Sequence, residues 1–274
     1  MIIVHNLNNS RSQRILWLLE ELGLPYEIKR YQRDPKTNLA PPELKAIHPL
    51  GKSPVIEDGG QVLIESAAII DYLIRHHGQG RLQPDPASAT YDTYVQWLHF
   101  AEGSAMLPLM LNLYVGRLGD AGAPLHPRIE SEVANYLGYL NDALAEKAYL
   151  LGDELSGADI QMSFIGEIAK AQGKLQAYPN LAAWVEKFQA RPAYRKAVEQ
   201  GVEYAFAKLL ALLQRHLQAQ AHKQCADDFP FPAPQPGKPL DASAQGADGE
   251  GEQAGVDRAE RREYQAQYRE LHQR

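Results

Sequence analysis

Gly51-Lys52-Ser53-Pro54-Val55-Ile56-Glu57-Asp58-Gly59-Gly60-Gln61-Val62-Leu63-Ile64-Glu65-Ser66-Ala67-Ala68-Ile69-Ile70-Asp71-Tyr72-Leu73 is the stretch whose reading decides the fold. It holds two short apolar runs, Pro54 to Ile56 and Val62 to Ile64, joined by Asp58-Gly59-Gly60. β-Branched residues on both sides of a segment that tolerates positive φ spell a β-hairpin. Glu65-Ser66 follows, and then Ala67, Ala68, Ile69, Ile70, Tyr72 and Leu73 at helical spacing. A strand therefore hands over to a helix, with Ser66 expected as the N-cap. The free N–H groups and partial positive charge of a helix N-terminus make Glu65-Ser66 a place to hold a carboxylate. Pro54 opens the first strand without a backbone donor, which points to a sheet edge or to an unusual peptide bond. A cis Ser53–Pro54 bond would turn the Ser53 backbone N–H and C=O toward a ligand.

Upstream, Ile2 to His5 reads as a strand, Asn6 to Arg11 as a polar loop, and Ile15, Leu16, Leu18, Leu19 and Leu22 as one face of a helix ending near Gly23. Tyr26 to Tyr31 is a second strand, and Pro41 to His48 a short helix before the hairpin. The order β-α-β-α-β-β-α over residues 1–78 is that of a thioredoxin-like domain. Gly and Pro mark residues 79–86 as a linker, and strand signals vanish from Ala87 onward. Residues 87–222 therefore read as a second, all-helical domain, giving an α/β plus all-α chain. One long amphipathic stretch runs from Ala87 to about Gly116, with a kink expected at Pro108, and another from Arg128 to Ala148. Ser156 and Asp159 form an S-x-x-D capping box ahead of an apolar helix, and Ala193 to about Gln220 reads as a last helix of the domain. Residues 223–255 are rich in Pro, Gly, Ala and acidic residues and read as an unstructured tail. Residues 256–274 regain helix formers and read as a docking or partner helix.

The 274 residues suffice for two small domains, and 45% apolar with 23% charged content is ordinary for a globular protein. A net charge of −6 gives no reason to expect nucleic acid or an anionic membrane as partner. The single cysteine, Cys225, rules out an intrachain disulfide and favours a reducing compartment. No charged leader with an apolar core opens the chain and no long apolar run occurs within it, so the expected setting is the cytoplasm. No His, Cys and carboxylate cluster has zinc-like spacing, and no metal is expected. His76-His77 reads as the end of a helix.

The G-K-x-P-x-[LIV] strand, the hairpin and the E-S at a helix start, in this order and spacing, resemble the glutathione-binding half of cytosolic glutathione transferases. The resemblance extends over roughly residues 1–210 through Leu151-Gly-Asp-Glu-Leu-Ser-Gly-Ala-Asp159 and the Tyr178-Pro-Asn-Leu to Arg191-Pro192-Ala run. It implies a thioredoxin-like domain followed by a helical bundle, a homodimer, and glutathione as co-substrate with a small hydrophobic electrophile or a peroxide. It also implies roles. Lys52 would meet the glycyl carboxylate, the Ser53 backbone beside Pro54 the cysteinyl moiety, and Glu65 and Ser66 the γ-glutamyl end.

Such a site turns a thiol into a thiolate. At a pKa of about 8.5 only about 3% of a thiol is ionised at pH 7, and lowering that value by about 2 units takes roughly 2.7 kcal/mol. A donor beside the N-terminus of the first helix would supply it. The Asn6–Ser12 loop offers Asn9, Ser10 and Ser12. The transferases it resembles carry a catalytic Tyr, Ser or Cys there, and the absence of Tyr and Cys between Met1 and Gly23 excludes those two types. Ser10-Arg11 resembles the H-S-R loop of fungal and bacterial relatives, making Ser10 the first candidate for catalysis. Asn9 is its rival, standing, by its distance from Arg14, where some plant relatives carry their serine. The plainer reading of Ser10 and Ser12 is that they cap the helix. Met106, Met110 and Tyr114, at i, i+4 and i+8, are the candidate wall for the second substrate, although such stripes are more often core. A glutathione-dependent disulfide reductase and a non-catalytic glutathione-binding protein are the rival functions.

Overall fold

The computed structural model describes residues 1–201. The helix expected to run on to about residue 220, the tail and the segment 256–274 extend beyond them or lie outside them.

β1 (Ile2–Leu7), α1 (Ser12–Leu22) and β2 (Tyr26–Tyr31) form a parallel β-α-β unit in register Ile2 opposite Tyr26 to Leu7 opposite Tyr31. After the short α2 (Glu43–Ile47), β3 (Val55–Asp58) and β4 (Gln61–Ile64) make the hairpin. β3 runs antiparallel to β1, so the sheet order is β2-β1-β3-β4. β3 is thus internal, not an edge; the Ser53–Pro54 bond that precedes it is cis. α3 (Ser66–His77) closes this part of the fold. The N-cap of α3 is Glu65, at φ 68°, and Ser66 is its first helical residue; the expected cap is displaced by one position.

The helical part comprises α4 (Ala89–Phe100), α5 (Met106–Val115), α6 (His126–Ala143), α7 (Gly157–Ala171), α8 (Pro179–Gln189) and α9 (Pro192–Gly201). The stretch after Ala87 is broken by a single π turn, Ala101–Ala105, just ahead of Pro108. Proline cannot donate to the carbonyl of Ser104 four residues back, and a widened turn accommodates the lost bond. A 3₁₀ segment (Gly116–Leu125) leads into α6.

α1 ends in a Schellman cap: Gly23, at φ 66°, donates to Glu20 and Leu24 to Leu19. Its apolar face was legible, yet Ser12 to Leu19 are buried on every side. α3, α7 and α9 pack around it as well as the sheet, so its outer face is interior too. At its C-terminal end Glu21 receives both arms of Arg191, Nε at 2.5 Å and Nη2 at 2.8 Å, while Arg191 Nη1 reaches the Tyr149 hydroxyl at 3.0 Å. α7 starts on a buried carboxylate. Asp159 accepts the Leu150 and Ser156 N–H groups at 2.9 and 3.0 Å, the Ser156 hydroxyl at 2.8 Å and the Trp184 indole at 3.0 Å. Among the described residues no helix is long and apolar enough to cross a membrane.

Candidate functional site

The polar loop after β1 and the cis bond before β3 meet at the N-terminal end of α1. Ser10 is 6% exposed, and its Oγ lies 2.7 Å from Ser12 Oγ and 3.3 Å from Ser53 Oγ, also accepting the Ser12 N–H at 3.3 Å. The protons in this cluster can be assigned. Asn6 Nδ2 donates to the Gly201 carbonyl at 2.8 Å, which fixes the amide so that Oδ1 accepts from the Ser12 hydroxyl. Ser53 Oγ donates to the His5 carbonyl at 2.8 Å. Ser12 and Ser53 have therefore committed their only protons to carbonyl oxygens. Ser10 alone keeps a hydroxyl proton that can turn between neighbours or toward a ligand. Asn9 precedes it at φ 51°, a left-handed conformation that Asn tolerates.

At the start of α3, Ser66 Oγ accepts from Arg14 Nη1 at 3.1 Å, and the same nitrogen lies 2.7 Å from Glu102 Oε1. Arg11 Nε reaches that oxygen at 2.9 Å. The guanidinium groups of Arg11 and Arg14 lie 5.3 and 5.1 Å from the centre of the Phe164 ring. Burial works to raise the Glu102 pKa, but the charges and hydrogen bonds of Arg14 and Arg11 outweigh it and hold the carboxyl below its ordinary range. An ionised carboxylate from the helical part thus stands beside Ser66.

A cavity of about 520 Å³ joins these elements. Asn9, Ser10, Lys52, Ser53 and Pro54 line one end, with Glu65 and Ser66, while Met110 and Tyr114 of α5 contribute to the wall. Two expected residues are not among the lining. Ser12 is fully buried behind Ser10, and Met106, 3% exposed, turns into the core. Arg11, Arg33, Glu102, Arg117 and Phe164 line the cavity without having been foreseen. Glu102 carried no signal, because an acid on an amphipathic helix reads as a solvated face. His77 Nε2 is 2.8 Å from Asp58 Oδ2, and among the described residues no cluster could hold a metal ion.

The chain as a whole has relatives. A model described as the glutathione S-transferase N-terminal domain matches residues 10–76, and one for the C-terminal domain matches residues 104–192. The curated "Glutathione S-transferase 3" of Schizosaccharomyces pombe is 36% identical over 214 residues, covering 73% of this chain and 87% of that protein. The chain belongs to the glutathione S-transferase family. A solved glutathione S-transferase from Actinobacillus pleuropneumoniae superposes with a TM-score of 0.68 at 36% identity, over 74% of this chain and 94% of that one. A glutathione transferase family member from Pseudomonas fluorescens, solved with two glutathione bound, gives 0.60 at 28% identity, over 72% of this chain and 92% of that one. The sheet-then-helices architecture described above is the glutathione S-transferase fold.

Proposed function

We propose that this glutathione S-transferase binds glutathione along the cavity and holds its thiol as a thiolate for attack on a hydrophobic electrophile or a peroxide. The observation that carries this reading is the uncommitted Ser10 proton at the N-terminal end of α1, inside the cavity. A hydroxyl donating to sulfur and the positive end of a helix both favour the anion. A hydrogen bond to a charged group contributes about 1.5–3 kcal/mol, the size needed to bring a thiol pKa down by 1–2 units.

In this reading Lys52 pairs with the glycyl carboxylate and the Ser53 backbone beside Pro54 clasps the cysteinyl unit. Glu65 takes the γ-glutamyl ammonium, and Ser66 with the α3 N-terminus takes its carboxylate. Ser12 acts from behind, orienting Ser10 rather than touching the tripeptide. Asn9 shares the loop and is the alternative donor. Titrating the thiolate ultraviolet band of bound glutathione in wild type, Ser10→Ala and Asn9→Ala separates the two. The donor is the residue whose loss raises the thiol pKa, and no shift in either variant would remove this loop from the mechanism.

A disulfide-reductase reading draws support from the Pseudomonas fluorescens relative with its two glutathione and from a cavity of about 520 Å³. Steady-state assays with a chloronitrobenzene, a peroxide and a glutathione mixed disulfide discriminate. Glutathione binding without turnover of any of them would indicate a regulatory member of the family. Homodimerisation and a part in detoxification are what the family resemblance implies, the cytoplasm is the setting expected from the sequence, and light scattering checks the first.

A further inference from the structure

Two arginines that line the cavity have no assigned partner in the glutathione complex proposed above. Of its arginines and lysine, Arg11 is paired with Glu102, and Lys52 has a partner in the glycyl carboxylate of the proposed complex. Arg33 and Arg117 are left, and among the described residues neither has a carboxylate within ion-pairing distance. Arg33 is half-buried and donates to three backbone carbonyls, those of Asn8 at 3.0 Å, Asn38 at 3.1 Å and Asn9 at 3.3 Å. Those bonds hold its plane while leaving two of its five N–H groups over. Burial works to lower its pKa, as expected for a charge taken out of water without a counter-ion. Arg117 lies 5.7 Å from the centre of the Tyr114 ring, and Arg33 lines the same cavity. The wall beside them is apolar: Leu109, Met110 and Leu113 of α5, with Ile168 of α7.

Two arginines, an aromatic ring and an apolar wall lining one cavity select a ligand that is apolar at one end and anionic at the other. We propose that the second substrate of this site is a carboxylate-bearing aromatic electrophile. Its ring packs on Tyr114 and Leu113, and its carboxylate is received by Arg33 and Arg117. This rests on the transferase reading and adds the substrate class to it. For a chloroarene the balance is simple: the glutathione thiolate forms a C–S bond at the ring carbon, the C–Cl bond breaks, and chloride leaves with the electron pair. The thiol proton passes to solvent.

The test separates charge selectivity from turnover. Dinitrobenzoate and dinitrobenzene, which lack a leaving halide, are titrated by calorimetry into the full-length protein with and without saturating glutathione. The acid is expected to bind at least about tenfold more tightly, the size of a charge-assisted hydrogen bond. That ratio should fall toward unity in Arg117→Gln and shrink at high salt. Arg33→Lys keeps the charge but loses the planar fork, so it should reduce the ratio while the loop retains a cation. In turnover, chlorodinitrobenzoate should exceed chlorodinitrobenzene in kcat/KM after each is divided by its uncatalysed rate with glutathione. Equal affinities in wild type, or a preference unmoved in both variants, would overturn the proposal. Absence of heat with glutathione itself would instead sink the transferase reading, while the dinitrobenzoate comparison on unloaded protein would still decide selectivity.

Discussion

Glu167→Gln should reverse its effect on stability between acid and alkaline pH. Glu167 lies on α7, 6% exposed, with Oε1 accepting from the Tyr194 hydroxyl and Oε2 without a hydrogen-bond partner among the described residues. Burial pushes its pKa up to about 7, although the Tyr194 hydroxyl and the charges of Arg14 and Lys170 pull the other way. The folded state therefore binds a proton that the unfolded chain releases at ordinary carboxyl pH. Stability from this group is complete below the unfolded pKa and is lost as pH rises through about 7. A rise from 4.5 to about 7 corresponds to about 3 kcal/mol. Glutamine keeps the shape and the bond to Tyr194 but does not titrate, and its amide N–H groups stand where Oε2 had no partner. The variant should thus be about 1 kcal/mol less stable than wild type near pH 5. Near pH 8 it should be about 2 kcal/mol more stable, with the crossing between. Urea unfolding at several pH values reads this directly, because other titrating groups are common to both proteins and cancel. A difference that stays constant with pH would refute the argument that Glu167 is buried in its protonated form.

Three further outcomes follow from particular contacts. Ser10→Ala should raise the pKa of bound glutathione by 1–2 units and lower kcat/KM below neutral pH by about 10–100-fold, read from a pH–rate profile. Asp159→Ala leaves four donors without their acceptor and should destabilise by about 3 kcal/mol or more, measured by thermal or urea unfolding. Gly157→Ala would bring a Cβ within 2.6 Å of Ile74 Cδ1 and 2.7 Å of the Tyr94 hydroxyl. Overpacking there, where α3, α4 and α7 converge, should cost about 1–3 kcal/mol in the same assay.

The hairpin, the β-α-β order and the switch to helices were legible because each depends on residues close together in the chain. Turn glycines, alternation and helical spacing act locally. Ser10, Ser53 and Glu65 lie in loops and Ser66 opens α3, and all four line the cavity. What a helix face meets is another matter. Met106, Met110 and Tyr114 do share one face of α5, but that face runs from core to solvent: Met106 is 3% exposed and Tyr114 55%. Only its outer part borders the cavity. Glu102 approaches Arg14 across 88 positions of sequence, and no local pattern encodes that meeting. The cap of α3 was misplaced by one residue because Glu65 adopts a positive φ that side chains seldom take.

α1 belongs to both halves of the molecule at once, touching the site at its first turn and gripped by Arg191 at its last. The covalent link between α3 and α4 is therefore not what keeps the halves together. A protease nick in that segment should leave a tightly associated two-piece complex. A fragment stopping at residue 78 would lose the partners that shield Gln13, Arg14 and Trp17, and it would expose an aggregation-prone spine instead of folding as a small autonomous module.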